Sequence, residues 1–332
     1  MALKVAINGT GRIGIIAAKI IAERSDIELV AVNTTAKPDM LEYLFKYDSV
    51  HRGIDTKVID ENTISIGGKN VRMFSDRNID NVDFGSVGAE VVIECTGVFL
   101  DQESCAKHLK NGVRKVIMSA PAKDDSPTYV FGVNSDQYKG EAIISNASCT
   151  TNCLGPICKV LDDAFGIENG LMTTIHSYTN DQNILDVKHK KDPRRARAAA
   201  LNMIPTTTGA AKAIGKVMPH LQGKLNGYAM RVPTPDVSVV DLTANLAKSV
   251  TKEEVNAAFA AAAEGSFKGL LEIDNDKRVS SDFIGSTYSS TYVPDMTSVV
   301  NGNTVKVLAW YDNEWGYSSR LVDMTILIGN HQ

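Results

Sequence analysis

Short apolar runs alternate with amphipathic segments through the first half of this chain. Four of the runs are rich in β-branched residues and have the length of strands; they occupy 4–8, 28–33, 90–95 and 115–119. Between the first two, apolar residues recur at helical spacing over 13–23. Strands that alternate with helices predict a parallel sheet covered on both faces, which is an α/β fold.

The pattern changes near Cys149. Beyond it, longer strand-like runs occur at 170–176, 227–233, 237–246 and 304–311. Fewer helical segments separate these runs, which predicts an α+β domain built on a mainly antiparallel or mixed sheet. A final helical pattern covers 315–327. We therefore expect one domain at 1–148, completed by a C-terminal helix at 315–332, and a second domain at 149–314.

Composition narrows the class of protein. The 332 residues suffice for two domains, and 43% hydrophobic with 22% charged residues is typical of a globular chain. A net charge of −4 provides no global basic field for nucleic acid or an anionic membrane. The N-terminal segment lacks the apolar stretch of a signal peptide, and no apolar run has the length of a bilayer span.

The cysteines indicate free thiols. Their number is five, which is odd and argues against a disulfide framework. No Cys-x-x-Cys pair and no Cys/His cluster has zinc spacing, so we expect no metal. Free thiols are typical of a reducing compartment, and we expect a cytoplasmic protein in which one thiol is reactive.

A glycine-rich turn follows the first predicted strand. Residues 9–14 read Gly-Thr-Gly-Arg-Ile-Gly and open the first predicted helix. In such a turn Gly9 allows the tight bend, Gly11 allows close approach of a pyrophosphate, and Gly14 allows close helix–strand packing. The helix N-terminus adds unpaired N–H groups for the phosphates. The turn predicts a Rossmann-type dinucleotide-binding domain at 1–148, with an ordinary glycine turn as the alternative.

The second strand lacks the carboxylate expected of an NAD site. In that position an acidic residue would bond the adenosine ribose and repel the 2′-phosphate of NADP. Here the strand ends in Asn33 and Thr34, with Lys37 close by. These residues favour use of both NAD and NADP; the alternative is that Asn33 alone holds the ribose of NAD.

The segment 145–153 surrounds the candidate nucleophile. Ser148, Cys149 and Thr150 stand where an extended run gives way to a helical pattern that continues over 154–165. A cysteine in the first turn of a helix has its thiolate stabilised by the helix dipole and by free N–H groups. His176 ends the run 170–176 and is the best candidate for its base. Taken alone, a histidine at that position is more often structural.

Five sequence blocks carry a family resemblance. They are Ile-Asn-Gly-Thr-Gly-Arg-Ile-Gly at 7–14, Ser-Asn-Ala-Ser-Cys-Thr-Thr-Asn-Cys at 145–153, Pro-Thr-Thr-Thr-Gly-Ala-Ala-Lys at 205–212, Arg-Val-Pro-Thr-Pro at 231–235 and Trp-Tyr-Asp-Asn-Glu at 310–314. In these blocks and along essentially its whole length, the chain closely resembles the phosphorylating glyceraldehyde-3-phosphate dehydrogenases. The block around the cysteine is highly specific to them.

The resemblance implies a reaction. Cys149 would attack the aldehyde of glyceraldehyde 3-phosphate, with His176 stabilising the thiolate and taking the proton of the hemithioacetal. Hydride transfer to NAD or NADP would leave a thioester, which inorganic phosphate would convert to 1,3-bisphosphoglycerate. The resemblance thus implies a catalytic second domain, a role in glycolysis and gluconeogenesis, a cytoplasmic location and a homotetramer.

The resemblance also assigns binding residues. For the cofactor it adds contacts from Arg12, Ile13, Arg77, Ser119 and Asn313, the last at the nicotinamide carboxamide. For the substrate phosphate it implies Thr179 and Arg231, and for the attacking phosphate Ser148, Thr150, Arg195, Thr208 and Gly209. Arginine suits both anions because its fork bonds phosphate oxygens bidentately. Without the other blocks, a polar turn at 206–208 and a surface charge at Arg231 would be the simpler interpretation.

A basic run covers 188–197. Composition alone leaves two interpretations of this run, a solvated loop or a nucleic-acid-binding patch. In the family that the chain resembles, the corresponding loop packs across a subunit interface, near the adenosine ribose bound by the neighbouring subunit. NAD-preferring members usually carry proline where this chain has Lys188, although an apparent one-residue insertion blurs the alignment. Lys188 would favour binding of a 2′-phosphate. Together with the missing carboxylate at the second strand, it is a second departure from NAD-preferring members and favours NADP.

Three other functions remain open from sequence. Erythrose-4-phosphate dehydrogenase is a close relative with the same thiol and dinucleotide sites. Acyl-phosphate reductases such as aspartate-semialdehyde dehydrogenase share the thiol chemistry, but the sequence around Cys149 argues against them. A redox-sensing or nucleic-acid-binding protein that has lost activity is supported only by the basic run and the thiol. The intact set of Cys149, His176, Arg231 and Asn313 argues against lost catalysis.

Overall fold

An eight-stranded sheet forms the first part of the computed structural model, which describes residues 2–331. Its strands are β1 (Leu3–Asn8), β2 (Ile27–Asn33), β3 (Thr56–Asp60), β4 (Thr63–Ile66), β5 (Lys69–Phe74), β6 (Val91–Glu94), β7 (Lys115–Met118) and β8 (Ile143–Ser145). They lie in the order β3-β4-β5-β2-β1-β6-β7-β8. In this order, neighbouring strands are parallel from β5 through β2, β1, β6 and β7 to β8. The neighbours β3, β4 and β5 are antiparallel.

The parallel strands are apolar on both faces. Every residue of β6 and of β7 is buried, which is typical of central strands covered by helices on either side. Three helices follow strands of this sheet: α1 (Arg12–Ala22), α2 (Pro38–Lys46) and α3 (Gln102–Ala106). In α1 every residue from Gly14 to Ile21 is buried, so the helix packs closely from its first turn onward.

The second sheet contains eight further strands. They are β9 (Ile167–Ser177), β10 (Ile204–Thr207), β11 (Leu225–Val232), β12 (Ser238–Leu246), β13 (Leu271–Ile273), β14 (Ser290–Tyr292), β15 (Ser298–Val300) and β16 (Thr304–Tyr311). The order is β10-β11-β9-β12-β16-β14-β13, and β15 pairs with β16. The pairs β9–β11 and β13–β14 are parallel and the other pairs are antiparallel, so the predicted mixed sheet is confirmed.

Three helices accompany the second sheet, and one ends the chain. The three are α4 (Cys149–Phe165), α5 (Ala210–Val217) and α6 (Lys252–Glu264), and the last is α7 (Trp315–Asn330). Within 2–331, no helix combines the length and the apolar character that crossing a membrane requires.

The described chain divides into two compact units. The first contains the residues up to Phe131, Ser135–Ser148 and the residues from Ser318 onward; the second contains Gly132–Asn134 and Cys149–Tyr317. Most of α7 therefore belongs to the unit of the parallel sheet. In that unit Arg24 forms an ion pair with Asp323 at 2.8 Å. Gly329 lies so close to Leu3 that an added Cβ would meet the leucine Cδ2 at 2.2 Å.

Candidate active site and cofactor cavity

The glycine-rich turn connects β1 to α1. Gly9 has a φ of +98°, and a Cβ there would lie 2.8 Å from the backbone nitrogen of Thr96. A Cβ at Gly14 would lie 2.0 Å from the carbonyl oxygen of Gly9, so helix and turn touch through their backbones. At Gly11, which caps α1, a Cβ would meet nothing within 4 Å. The space beside the helix N-terminus is thus open, and an anion there would face unpaired N–H groups.

A cavity of about 620 Å³ opens at the carboxyl ends of β1, β2 and β6. Its lining is the glycine turn and three following loops: Asn8, Gly9, Thr10, Gly11, Asn33, Thr34, Thr35, Ala36, Asp76, Arg77, Ile79, Cys95, Thr96, Val98 and Phe99. Ligands of open α/β sheets bind in this position. The open space at Gly11 and the mixed polar and apolar lining fit a nucleotide with a pyrophosphate.

Asn33 is held entirely within the protein. Its Nδ2 donates to Oδ1 of Asn8 and to the carbonyl oxygen of Asp76, both at 2.8 Å. Its Oδ1 accepts from the backbone nitrogen of Asp76 at 3.1 Å. Because both amide hydrogens are used, Asn33 offers none to a 2′-phosphate. Thr34 is buried beside it, and its hydroxyl lies 2.6 Å from that of Thr10.

The cavity contains a carboxylate that the sequence did not predict. Asp76 follows β5 and reaches the cavity because β5 pairs with β2. Bonds from Asn81 and from the backbone of Asn78 lower the pKa of Asp76, which keeps it ionised at neutral pH. Asp76 belongs to no sequence motif that we identified, and it lies 43 positions from Asn33 in the chain. Only the strand pairing indicates it.

A buried carboxylate fixes the floor of the cavity. Glu94 is fully buried at the end of β6. It accepts hydrogen bonds from Nδ2 of Asn8 at 2.6 Å and from the backbone nitrogen of Thr96 at 2.7 Å. Nε2 of His108 lies 3.2 Å from Oε2 of Glu94, the oxygen that also accepts from Asn8. The ends of β1 and β6 are therefore tied together below the glycine turn.

The other predicted cofactor residues lie at different places in this unit. Arg77 is exposed and lines the cavity, and Ile13 is half-buried in the first turn of α1. The guanidinium of Arg12 forms an ion pair with the buried Asp48 at 3.0 Å. Ser119 follows β7 and donates its backbone N–H to the carbonyl of Glu94 at 2.9 Å. The cavity lining contains neither Arg12 nor Ser119.

Cys149 and His176 lie side by side in the second unit. Cys149 is the first residue of α4 and is half-buried, while His176 lies near the end of β9 with 4% of its surface exposed. Sγ of Cys149 lies 3.5 Å from Nε2 of His176. The helix start and the strand end thus bring together the two groups that the sequence selected separately.

Tyr311 packs beside Cys149 and His176. Its hydroxyl lies 2.8 Å from that of Thr150 and 3.0 Å from that of Thr174. Its ring meets the imidazole of His176 edge-on, with centroids 6.0 Å apart. The contacts connect α4, β9 and β16, and they restrict the imidazole to the orientation that faces Sγ. Sequence reasoning assigned no role to Tyr311, since a buried aromatic residue in a strand carries no distinguishing signal.

Burial sets the charge state of the pair. It raises the pKa of Cys149, and the positive charge of Arg231 with the bond from Thr150 offsets only part of this rise. Burial and the same guanidinium lower the pKa of His176 to about 3. Desolvation therefore opposes the thiolate that the sequence predicts at the helix start, and it also opposes the imidazolium that would accompany it.

Arg231 lies level with His176 because β9 and β11 are parallel neighbours in register. Its Nη1 is 3.0 Å from Nδ1 of His176 and 2.9 Å from the carbonyl oxygen of Ser177. Thr179 is half-buried in the loop that follows β9. The predicted substrate-phosphate residues thus belong to segments that adjoin the imidazole.

The second predicted anion set centres on Arg195. Its Nε donates to the hydroxyl of Thr206 at 2.8 Å, its Nη2 reaches the carbonyl of Thr207 at 3.3 Å, and its Nη1 pairs with Asp181. Thr208 and the exposed Gly209 come next in the chain, at the start of α5. Thr150 instead bonds Tyr311, and Ser148 is half-buried just before α4. Arg195 therefore contacts the end of β10, from which the chain continues into Thr208 and Gly209.

Asn313 and Lys188 differ in how firmly they are held. Oδ1 of Asn313 accepts bonds from the hydroxyls of Ser177 at 2.9 Å and Ser238 at 2.7 Å. These bonds set the orientation of its amide, so Nδ2 lies on the opposite edge. Lys188 is exposed in the long loop between β9 and β10, within the second unit.

Comparisons with known proteins identify the family. The NAD binding domain of glyceraldehyde 3-phosphate dehydrogenase matches residues 3–102, and the C-terminal domain of that enzyme matches residues 148–313. Glyceraldehyde-3-phosphate dehydrogenase of Geobacillus stearothermophilus is 54% identical over 333 residues, which cover 99% of each chain. The cytosolic enzyme of Pinus sylvestris is 52% identical, covering 98% of this chain and 96% of the relative. The chloroplastic A form of Zea mays is also 52% identical, covering 99% and 83%.

These matches agree with the fold and with the chemistry of the site. The two family domains occur in the order of the parallel and the mixed sheet, and the identity extends over the whole length. The chain belongs to the glyceraldehyde-3-phosphate dehydrogenase family.

Proposed function

We propose that this protein oxidises D-glyceraldehyde 3-phosphate to 1,3-bisphosphoglycerate with NAD(P) and inorganic phosphate, in glycolysis and gluconeogenesis. The observation that carries the proposal is the 3.5 Å distance between Sγ of Cys149 and Nε2 of His176 at the start of α4. A thiol and an imidazole at this distance form an activated nucleophile. The family of the chain supports the same reaction.

The first step is addition of the thiol to the aldehyde. As the S–C bond forms, the thiol proton passes to Nε2 of His176 and the carbonyl electron pair moves to oxygen. His176 then returns this proton to the oxygen and takes it again when the hemithioacetal is oxidised. A neutral imidazole with a pKa lowered to about 3 needs a nearby anion or a developing negative charge to hold that proton, and the forming oxyanion provides it.

A bound nicotinamide supplies the hydride acceptor for the oxidation. The amide of Asn313, oriented by Ser177 and Ser238, would hold the ring's carboxamide. The glycine turn and the N-terminus of α1 would hold the pyrophosphate.

The resulting thioester joins the acyl group to Sγ of Cys149. Inorganic phosphate attacks its carbonyl carbon, the C–O bond forms, and the C–S bond breaks with the electron pair on sulfur. We assign the attacking phosphate to Ser148, Thr150, Arg195, Thr208 and Gly209, and the phosphate of the substrate to Thr179 and Arg231. Two arginines in separate segments suit two anions that must be bound at once.

For the cofactor we propose use of both NAD and NADP. Thr34 places no charge at the end of β2, and Lys188 adds a cation on a loop that the family uses near a neighbouring ribose. The carboxylate of Asp76 acts against NADP, and Asn33 cannot donate to its 2′-phosphate. The argument for NADP therefore depends on Thr34 and Lys188.

We further propose a cytoplasmic homotetramer. Several large apolar side chains of the second unit are strongly exposed, among them Ile184 at 84%, Leu201 at 81% and Met203 at 74%. Apolar exposure on this scale is typical of a surface that other subunits cover. Light scattering after size exclusion should give four times the 35.9 kDa chain mass. A monomer at micromolar concentration would contradict this assignment.

An initial-rate assay tests the proposed reaction. Turnover of glyceraldehyde 3-phosphate should require inorganic phosphate and should proceed with NAD and with NADP. Erythrose 4-phosphate is the comparison substrate, and faster turnover of it without phosphate would overturn the proposal. Formation of the acyl phosphate is measured separately, by coupling to phosphoryl transfer onto ADP.

A further inference from the structure

The buried carboxylate below the cofactor cavity has no part in the proposed chemistry. Glu94, at the end of β6, accepts at Oε2 from Nδ2 of Asn8 at 2.6 Å. Its Oε1 accepts from the backbone nitrogen of Thr96 at 2.7 Å and from the hydroxyl of the same residue. That hydroxyl has its proton to give, since its oxygen accepts from the backbone nitrogen of Val98 at 3.1 Å. Because these partners are donors, Glu94 is held as an anion.

The imidazole beside Glu94 is neutral. The side chain of His108 is fully buried, with its ring 5.7 Å from that of Phe84 and 6.4 Å from that of Phe99, measured between centroids. Its Nδ1 has no hydrogen-bond partner within residues 2–331. A protonated ring would bury an N–H there without an acceptor, which is costly. The neutral ring instead donates from Nε2 to Glu94, so the two side chains together carry one negative charge.

This charge is not cancelled from another direction. In the part of the chain from 2 to 331, no lysine or arginine forms an ion pair with Glu94. The charge also acts on the cavity wall: burial, and with it the charge of Glu94, raises the pKa of the lining residue Cys95 to about 12. A charge in a dry interior acts over a longer distance than one in solvent.

The position of Glu94 relates it to one half of the cofactor. The order β5-β2-β1-β6-β7-β8 consists of two three-stranded halves that meet between β1 and β6. In such a sheet each half binds one mononucleotide, and the adenosine ribose lies at the end of the second strand, which here is β2. The nicotinamide nucleotide therefore belongs to the half that begins with β6, the strand that Glu94 ends.

The two redox forms of the cofactor differ in charge at that half alone. The nicotinamide ring carries a positive charge in NAD⁺ and none in NADH, while the adenosine and the pyrophosphate are the same in both. A fixed negative charge therefore stabilises bound NAD⁺ and has no such interaction with NADH.

We propose that Glu94 is a specificity-determining residue that makes the site prefer NAD⁺ over NADH, through the uncompensated negative charge that it keeps below the nicotinamide half of the cofactor. This inference rests on the proposed function, in which the cofactor is a nicotinamide dinucleotide. The preference draws the oxidised cofactor into the site and favours release of the reduced one after hydride transfer.

Calorimetric titration of the nucleotide-free protein tests the preference. The probes are NAD⁺, NADH and ADP-ribose, which has the adenosine and the pyrophosphate but no nicotinamide. Glu94→Gln removes the charge and keeps the shape of the side chain. We expect it to raise Kd for NAD⁺ about tenfold more than Kd for NADH, as for one charge interaction in a protein interior. Binding of ADP-ribose should change as that of NADH does.

Two variants of His108 provide an independent test in which Glu94 remains. His108→Lys supplies a cation against the carboxylate and should also remove the preference for NAD⁺. His108→Gln offers a neutral donor in the same place, so it is the matched control and should retain the preference. The His108 pair also decides the question if Glu94→Gln does not fold.

A Glu94→Gln protein that binds all three probes more weakly by the same factor would show that Glu94 only supports the glycine turn. A His108→Lys protein with the preference of His108→Gln would likewise overturn the inference. These results would leave the proposed function intact. If the unmodified protein binds neither NAD⁺ nor ADP-ribose, the proposed function itself fails.

Discussion

Cys149 shows how one residue combines opposing influences. The start of α4 and the guanidinium of Arg231 favour a negative sulfur, while burial opposes it more strongly. The imidazole of His176, 3.5 Å from the sulfur, adds to the influences that favour the anion when it carries a proton.

Replacement of the sulfur tests the covalent step. We expect Cys149→Ser to lower dehydrogenase activity at least about a thousandfold, since a hydroxyl at this site lacks the nucleophilicity of sulfur. Cofactor affinity, measured by quenching of intrinsic fluorescence, should change little. Appreciable turnover by the serine variant would contradict a thioester mechanism.

Replacement of the imidazole tests the proton transfer. His176→Asn should lower kcat by about 10²–10⁴-fold, the usual contribution of a general base. It should also shift alkylation of Cys149 by iodoacetamide to higher pH, because the thiol proton then has no acceptor at 3.5 Å. His220, which pairs with Asp162 on the surface, offers the matched control. An alkylation profile shared by His176→Asn and His220→Asn would show that the imidazole is not the partner of the thiol.

A charge at position 34 tests the basis of cofactor choice. Thr34→Asp places a carboxylate at the end of β2 and should lower kcat/KM for NADP about tenfold more than for NAD, by repulsion of the 2′-phosphate. Thr34→Asn is the neutral control of nearly equal shape. If both variants change the NADP to NAD ratio equally, charge at this position does not select the cofactor.

Sequence patterns indicate individual candidate residues of the site but not which of them contact one another. Cys149, His176 and the three glycines stand in local patterns that have a chemical meaning without the fold. Asp76 and the contact between Arg231 and His176 do not, because each depends on which strand pairs with which. A pairing between distant strands leaves no periodicity in the chain, so these groups could be found only in the structure.

At the scale of elements, the parallel strands and the first helix begin and end close to the positions that their sequence patterns predict. Strands β1, β2, β6 and β7 lie within a residue or two of the predicted runs, since each is a short apolar run with turn residues at its ends. The antiparallel extension β3–β5 was not predicted. Those strands have only four to six residues each, and three short strands near an edge give little signal.

The contact between the turn and α1 gives a prediction at this scale. Gly14→Ala places a methyl group 2.0 Å from the carbonyl oxygen of Gly9, so it should lower the free energy of unfolding by at least about 1–3 kcal/mol despite the better helix propensity of alanine. Urea denaturation measures this. Gly11→Ala meets nothing within 4 Å and should alter stability by less than about 0.5 kcal/mol, yet it should weaken cofactor binding. Equal stability of the two variants would refute the packing argument.

At the scale of the molecule, buried charges make stability depend on pH. Asp236 is 1% exposed, and burial with the nearby charges of Asp312 and Glu314 raises its pKa to about 9. The folded chain therefore holds a proton that the unfolded chain releases near pH 4. The contribution of this group is fully favourable below pH 4 and is lost progressively as pH rises toward 9.

Asp236→Asn isolates this contribution. The amide cannot ionise, so we expect the variant to gain stability over the unmodified protein on the order of 1 kcal/mol for each pH unit between about pH 5 and pH 8. Free energies of unfolding from urea at three pH values provide the measurement. Asp241→Asn, on an exposed ion pair with Lys306, is the control and should show no such trend. A difference that is constant with pH would mean that Asp236 is ionised in the folded state.

The return of α7 to the parallel sheet has a consequence for synthesis on the ribosome. The unit that contains the first strand also needs the residues from Ser318 onward, through the pair of Arg24 with Asp323 and the contact of Gly329 with Leu3. The second unit, by contrast, is nearly continuous, since only Gly132–Asn134 lies outside the stretch from Cys149 to Tyr317. The unit that begins to emerge from the exit tunnel first therefore acquires its last helix only after the stretch from Cys149 to Tyr317 has been translated.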